Sequence, residues 1–489
     1  MNTWRSLEHP PAWLRRAAQL ALIVLVCAVG VLIAVTLWDP TRLPLTVALA
    51  TSAAVLLLIT LNPLLGLGVW IVLSPFATVW NLDIHLGAGI PDLALTRLAV
   101  GWTVVLLIAR AALGRRRLAP INLLDVAMLI FAVGILLSIF ASALGIVAAV
   151  QGVFDTYLLP MLVYALARNL VRDARGARWM AAAVMVVGAY LAFLVLQEQS
   201  TGVPLLAPDT VQFSYGADLR RVVSLLGNPV YLGIPLAFAL VIAMVAYTWQ
   251  TTLHGRLLTA ALALSFAAAG VFTYNRASWL GLLLGAAVLS LYYRRWRRLL
   301  LPTVVVVGLV AALSWPVFSQ QPLISDRLLR EETVEDRLTS VDAAVLLWQQ
   351  QPLFGIGYAS FGYAAMDRGL LPRLEGFVPA PHNSYLFVLT SGGLVAGIPY
   401  VVILLLITFD LWRFDRFRRR AGQADQTTAA VWSGMLAAAM AVLVIQAATS
   451  ATYDAALGPL TSLLFFLIIG TAYGLHQAER SRQRHLEAV

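Results

Sequence analysis

The chain has 489 residues, of which 60% are hydrophobic and 12% charged, where an ordinary soluble domain carries about 25% charged residues. Its net charge of +10 comes from arginine alone, because none of its 34 basic residues is a lysine. Composition therefore excludes a soluble multidomain enzyme, a lysine Schiff base and a Walker A loop, and the single cysteine, Cys27, excludes an intrachain disulfide or a CxxC metal site.

Apolar runs long enough to cross a hydrocarbon core recur along the whole chain. The first, 17–38, follows Arg15 and Arg16 as a signal peptide would. It is long and has no clean small-residue cleavage site, so it reads as an uncleaved span. Spans follow at 44–60, 63–80, 95–113, 121–141, 148–167 and 179–199, with Pro75 and Pro160 interrupting the third and sixth. A second group covers 228–249, 257–274, 277–293 and 299–317, and a third covers 384–409, 429–449 and 457–476. The expected fold is all-α: a polytopic transmembrane bundle of about 12–14 spans. Four regions are expected: N-terminal spans over 1–200, further spans over 201–317, a long connection over 318–383, and C-terminal spans with a tail over 384–489. Within the long connection Leu338, Val341, Val345 and Trp348 recur at helical spacing and predict an amphipathic helix.

Arginine sets the orientation. With the N-terminus in the cytoplasm, alternating spans place Arg115–Arg117, the Arg168 to Arg178 set, Arg294–Arg298 and the Arg413 to Arg420 cluster inside, as the positive-inside rule requires. This clustering at helix ends explains the charge without nucleic acid. The long connection and a smaller set of arginines then face outward.

Four patterns gather on that outer face. Arg220 and Arg221 precede Gly227-Asn228-Pro229, and Asn275-Arg276-Ala277 joins two apolar runs almost without a loop. Arg337 leads through Trp348 to Pro352-Leu353-Phe354-Gly355-Ile356-Gly357, and His382-Asn383-Ser384-Tyr385-Leu386 stands where the long connection re-enters the membrane. Taken singly each has a plain reading: arginines snorkel to lipid phosphates, paired glycines make a turn, and Asn383 caps a helix beside an interfacial histidine. Taken together they describe a chemistry. Arginine forks bind a diphosphate bidentately, and imidazole accepts a proton from a hydroxyl near neutral pH. No Asp-x-Asp motif appears, so neither a metal nor any other cofactor is expected.

In the order and spacing of these motifs, roughly over residues 215–450, the chain resembles the O-antigen ligase and O-antigen polymerase superfamily. The resemblance implies a GT-C-like bundle that transfers glycan from undecaprenyl diphosphate, without metal, at the outer side of a bacterial cytoplasmic membrane; a single displacement there would invert the anomeric configuration. It assigns the diphosphate to Arg221 and Arg276, with Arg220 and Arg337 near them, and the essential histidine to His382; Asn228, Asn383 and Tyr385 support the site. The expected partners are the undecaprenyl-linked donor, membrane lipid, and an acceptor that is lipid A-core or a growing glycan. A polymerase or a protein O-oligosaccharyltransferase would share the donor end. A transporter of lipid-linked substrate is the contrasting class; it calls for broken helices in two matching halves, and no internal repeat is present.

The orientation is testable by labelling single cysteines from outside in a Cys27→Ser background. Cysteines within 318–383 should react. Labelling at Phe417, with none in the long connection, would overturn the assignment.

Overall fold

The computed structural model describes residues 43–76, 92, 94–206, 222–294, 296–298, 332–373, 378–420, 426–454 and 458–487. It is an all-α, polytopic, membrane-spanning bundle: nine helices among the described residues are long and apolar enough to cross a bilayer. The expected spans 17–38 and 299–317 lie outside the described residues.

The chain divides into two compact units, Met1–Gly87 with Asp92–Arg117, and Ala88–Pro91 with Leu118–Val489. The first contains α1 (Leu43–Leu61), α2 (Pro63–Leu73) and α3 (Leu95–Ala112). Asn62 separates α1 from α2 and caps the second, its side chain accepting the Leu65 N–H at 3.2 Å with Pro63 in the first turn. Thr60 ties α1 to α3, because Trp102 Nε1 donates to its hydroxyl and Arg110 to its carbonyl, at 2.8 and 3.0 Å.

The second unit contains α4 (Leu123–Leu137), α5 (Ile146–Leu170), α6 (Ala174–Thr201), α7 (Pro229–Trp249), α8 (Leu253–Phe272), α9 (Arg276–Tyr292), α10 (Glu332–Gln350), α11 (Phe361–Asp367), α12 (Ser384–Arg420), α13 (Gln426–Ser450) and α14 (Pro459–Glu487). Helices α7 and α14 are central, with 83% and 89% of their apolar windows buried, whereas α8 buries only 22% and forms an outer wall. Small residues permit the tightest packing. Gly470 and Gly474 bring α14 against the backbone of α5, where an added Cβ would lie 2.5 Å from the Tyr164 carbonyl and 2.6 Å from that of Val171. This four-residue glycine spacing is a recurrent way for helices to approach in lipid. At the same end Arg168, 4% exposed, donates to both Asp125 oxygens at 2.7 and 2.6 Å, joining α5 to α4.

Two of the long helices are irregular within their length. Helix α5 accommodates Pro160 behind a π-turn over Phe154–Leu158. Helix α12 breaks at Gly393 (φ 58°, ψ −157°). Backbone groups freed at membrane depth must be met by protein, and here the Pro352–Gly357 segment meets them. Ile356 and Gly357 donate to the carbonyls of Thr390 and Ser391, while Leu394 and Val395 donate to those of Pro352 and Leu353, all at 2.8–3.1 Å. Gly355 (φ 69°) and Gly357 (φ 104°) serve this backbone approach and turn rather than a ligand.

The long connection folds onto itself. Ala343, Ala344 and Leu347 of α10 pack with Phe361 and Ala365 of α11 and with Leu371. This corrects the expected face of α10: Leu338 is 59% exposed, Val341, Val345 and Trp348 are half-buried, and the buried stripe is Ser340, Ala343, Ala344 and Leu347. The close partner α11 selects small alanines, so the buried face is turned by about one residue.

Gly355 and Gly369 share nearly the same backbone angle, 69° and 68°, but only Gly355 is crowded: an added Cβ would meet the Thr390 carbonyl at 2.5 Å, while Gly369 faces open space. Gly355→Ala should therefore cost about 2–5 kcal/mol from strain plus overlap, and Gly369→Ala about 1 kcal/mol from strain alone. Thermal unfolding of both variants checks this; equal losses would mean the segment does not lie against α12.

Candidate functional site

The site lies at the end of the second unit where α7, α9, α12 and α14 begin and α13 ends. Asn383 starts α12. Its side-chain oxygen accepts the N–H groups of Tyr385 and Leu386 at 3.0 and 3.1 Å, and its amide donates to the Ala451 carbonyl at 3.1 Å. Ser384 donates to the Tyr453 carbonyl at 2.7 Å, and the Tyr385 hydroxyl to that of Ala447 at 2.9 Å. The histidine-containing motif is thus bonded along its length to the end of α13 and the turn after it.

The strongest of these links comes from a residue that the sequence did not single out. Asp454 is 1% exposed. One of its oxygens accepts the backbone N–H of His382 and the other that of Asn383, each at 3.0 Å. This double acceptance holds His382 at φ 50°, a left-handed conformation uncommon for a residue with a side chain. The imidazole Nδ1 stands 4.0 Å from the same carboxylate, and the His382 side chain remains 47% exposed. The sequence carried one faint sign of the clamp: a lone acid in the short turn between the last two spans.

Arg276 is the first residue of α9 and is exposed. Its position is fixed by Asn275, whose side chain accepts the Ser278 N–H at 3.0 Å. The same turn is locked to α7, because Ser278 fills the space that any side chain at Gly233 would need. Arg337, near the start of α10, lies close enough to Arg276 for the two charges to repel; desolvation first and Arg276 second hold its guanidinium below the ordinary value. Surrounding protein first and the charge of Arg337 second likewise hold the His382 imidazole below its ordinary value.

The structure therefore brings Arg276, Arg337 and His382 together, with Asn383 and Tyr385 anchoring the histidine. Asn228 caps α7 at the same end, accepting the Val230 N–H at 2.9 Å, and Tyr231 one turn on packs against Tyr453 with ring centroids 5.7 Å apart. Arg220 and Arg221 lie outside the described residues. Among the described residues no group of three His, Cys, Asp or Glu side chains has metal-ligand geometry. The arrangement offers clustered fixed cations beside a neutral, half-exposed base.

Burial raises the Asp454 carboxyl to about 7, against the pull of its two N–H bonds. A raised carboxyl stabilises the fold fully below the unfolded value of about 3.9, and that contribution is lost as pH rises toward 7. The lowered His382 acts in the opposite sense: its contribution is present above about 6.5 and is lost as pH falls below that value through the lower folded one. Asp454→Asn should remove the first dependence and flatten the decline of stability between about pH 4 and 7. Denaturation of both proteins across that range checks this; an unchanged slope would show that Asp454 does not titrate there.

Comparison with known families adds a finding of a different kind. The family model described as O-antigen ligase matches residues 259–401. That stretch contains Arg276, Arg337, His382, Asn383 and Tyr385, is narrower than the resemblance over 215–450, and ends before Asp454. No curated protein matches the chain. Over residues 259–401 the chain is thus similar to the O-antigen ligase family.

Proposed function

We propose that this protein is a metal-independent, GT-C-like glycosyltransferase of O-antigen ligase type. It moves a glycan from undecaprenyl diphosphate to an acceptor hydroxyl, that of lipid A-core, at the outer face of a bacterial cytoplasmic membrane. The observation that carries the reading is His382 held by Asp454 in the field of Arg337, with Arg276 beside it. Two arginines kept within mutual repulsion call for a polyanion between them, and guanidinium forks fit phosphate oxygens. The outward orientation rests on the arginine asymmetry of the chain.

In this reading the acceptor oxygen attacks the anomeric carbon from the side opposite the diphosphate. The bond from carbon to the diphosphate oxygen breaks, the leaving group keeps the electron pair, and the configuration inverts. His382 takes the hydroxyl proton. Its lowered pKa keeps it unprotonated at neutral pH, ready to accept. Arg276 and Arg337 stabilise the charge gathering on the departing diphosphate. A polymerase or protein O-oligosaccharyltransferase would use the same donor groups and differ at the acceptor.

The test uses purified protein, an undecaprenyl-diphosphate-linked glycan and lipid A-core. His382→Ala should lose about 10²–10⁴-fold in rate while still binding donor. The wild-type rate should rise with pH through an inflection below 6.5 and be level above it. Arg276→Ala should lose about ten- to a hundredfold, corresponding to about 1.5–3 kcal/mol, and Arg276→Lys less, since it keeps the charge without the fork. A flat pH profile with an active His382→Gln protein would remove the base role, and wild-type turnover by Arg276→Ala would reduce that residue to an interfacial anchor.

A further inference from the structure

The Pro352–Gly357 segment that meets the break in α12 turns its polar main chain toward the bundle. The N–H groups of Gly355, Ile356, Gly357 and Tyr358 donate in turn to the carbonyls of Gln351, Thr390, Ser391 and Ser138, and the carbonyls of Pro352 and Leu353 accept from α12. The side chains left outside are apolar: Leu353 is 57% and Phe354 60% exposed, and no residue from Pro352 to Gly357 carries a charge. Inward main chain with outward apolar side chains is what hydrocarbon demands of a non-helical segment. Helix packing gives its depth. An added Cβ at Gly393 would overlap the Leu353 carbonyl, and one at Gly134 of α4 would lie 2.8 Å from the Val395 carbonyl, so Leu353, Gly393 and Gly134 stand at nearly one level. Gly134 lies seven residues before the outer end of the span Leu123–Ala141, which is about 10 Å inside it at 1.5 Å per residue. The surface on either side is apolar along membrane-spanning helices: α4 exposes Val133, Leu137 and Phe140, and α12 exposes Ile398, Val401 and Leu405.

We propose that Leu353 and Phe354 enter the outer leaflet and meet the acyl chains of bilayer lipid, making the long connection re-entrant at its middle. Continuity with the exposed faces of α4 and α12 identifies lipid as the occupant, because the two side chains extend a surface that acyl chains already cover. The contact also has a mechanical consequence. Trp348 donates to the Pro352 carbonyl at 3.2 Å, so the C-terminal end of α10 is tied to a point within the bilayer. The contact is independent of whatever chemistry the outer end performs. Protein lying over the same face is the alternative, and it differs in what can reach the two side chains.

Full-length protein in a Cys27→Ser background, spin-labelled in detergent at one introduced cysteine and returned to phosphatidylethanolamine and phosphatidylglycerol vesicles, separates these. Molecular oxygen concentrates in hydrocarbon, whereas a water-soluble nickel chelate stays outside it. The label of Phe354→Cys should be relaxed by oxygen and shielded from the chelate, as that of Leu405→Cys on α12 is. It should also read at least as deep as the label of Phe140→Cys near the end of the α4 span. Arg368→Cys, at an exposed position of the same connection, should show the reverse. A charged maleimide applied from outside should modify Phe354→Cys about tenfold more slowly than Arg368→Cys, because hydrocarbon disfavours the reactive thiolate. Phe354 is thus the expected exception to outward labelling of the long connection. Leu353→Cys takes the place of Phe354→Cys if that variant does not fold. A label at these positions that is open to the chelate puts the segment in water and overturns the proposal. A label shielded from both oxygen and chelate shows that protein covers the face, and overturns it equally.

Discussion

A polypeptide in lipid has nowhere to leave an unmet N–H or carbonyl, and this bundle contains a helix that breaks. At Gly393 the backbone of α12 leaves helical geometry, and the Pro352–Gly357 segment supplies two donors and two acceptors to the groups on either side of the break. Much else depends on that exchange. It anchors the middle of the long connection to the helix that begins two residues after His382. Trp348 adds to it by donating to the Pro352 carbonyl at 3.2 Å, so α10, which carries Arg337, is held to the same place. Arg337 and His382 approach because the gap in one element is completed by the backbone of the other.

The polar groups at this end divide into two kinds. Arg276, Arg337 and His382 are exposed, whereas Asp454 is buried and turned toward backbone. Among the described residues Arg276 and Arg337 form no ion pair with Asp454. Asp454 is engaged in holding main chain, and in the proposed reading the cationic field is left for the donor's diphosphate. A site that binds a polyanion without metal needs this separation, because direct ion pairs between these arginines and acids would fill the arginine forks.

Much of the bundle was legible in the sequence, since a bilayer requires about 20 apolar residues per helix and that demand is visible in any window. Arg276 was legible for a related reason: a charge between two such windows has few places to go. Other features were hidden. The buried face of α10 was misread because large residues were counted, while the contact with α11 is made by Ala343 and Ala344. Asp454 was invisible because its partners are backbone groups some 70 residues away, and backbone leaves no side-chain signature. The proximity of Arg276 to Arg337 likewise depends on how the connection folds back, which no local pattern encodes.

The π-turn in α5 bears on this arrangement from a distance. It amounts to one residue more than an ordinary helix would use over Phe154–Leu158. That extra residue sets the rotation of the preceding turn, where Gly152 faces the Tyr358 ring so closely that a Cβ there would lie 2.7 Å from it. Deleting one residue from the bulge would restore a regular helix and swing Gly152 through about 100°, with a shift of about 1.5 Å along the axis. Tyr358 would then meet a bulkier neighbour, and the segment ending at Gly357 would be pushed off the break in α12. The chain is in this sense sensitive to length at Phe154–Leu158, beyond the packing that its individual side chains make.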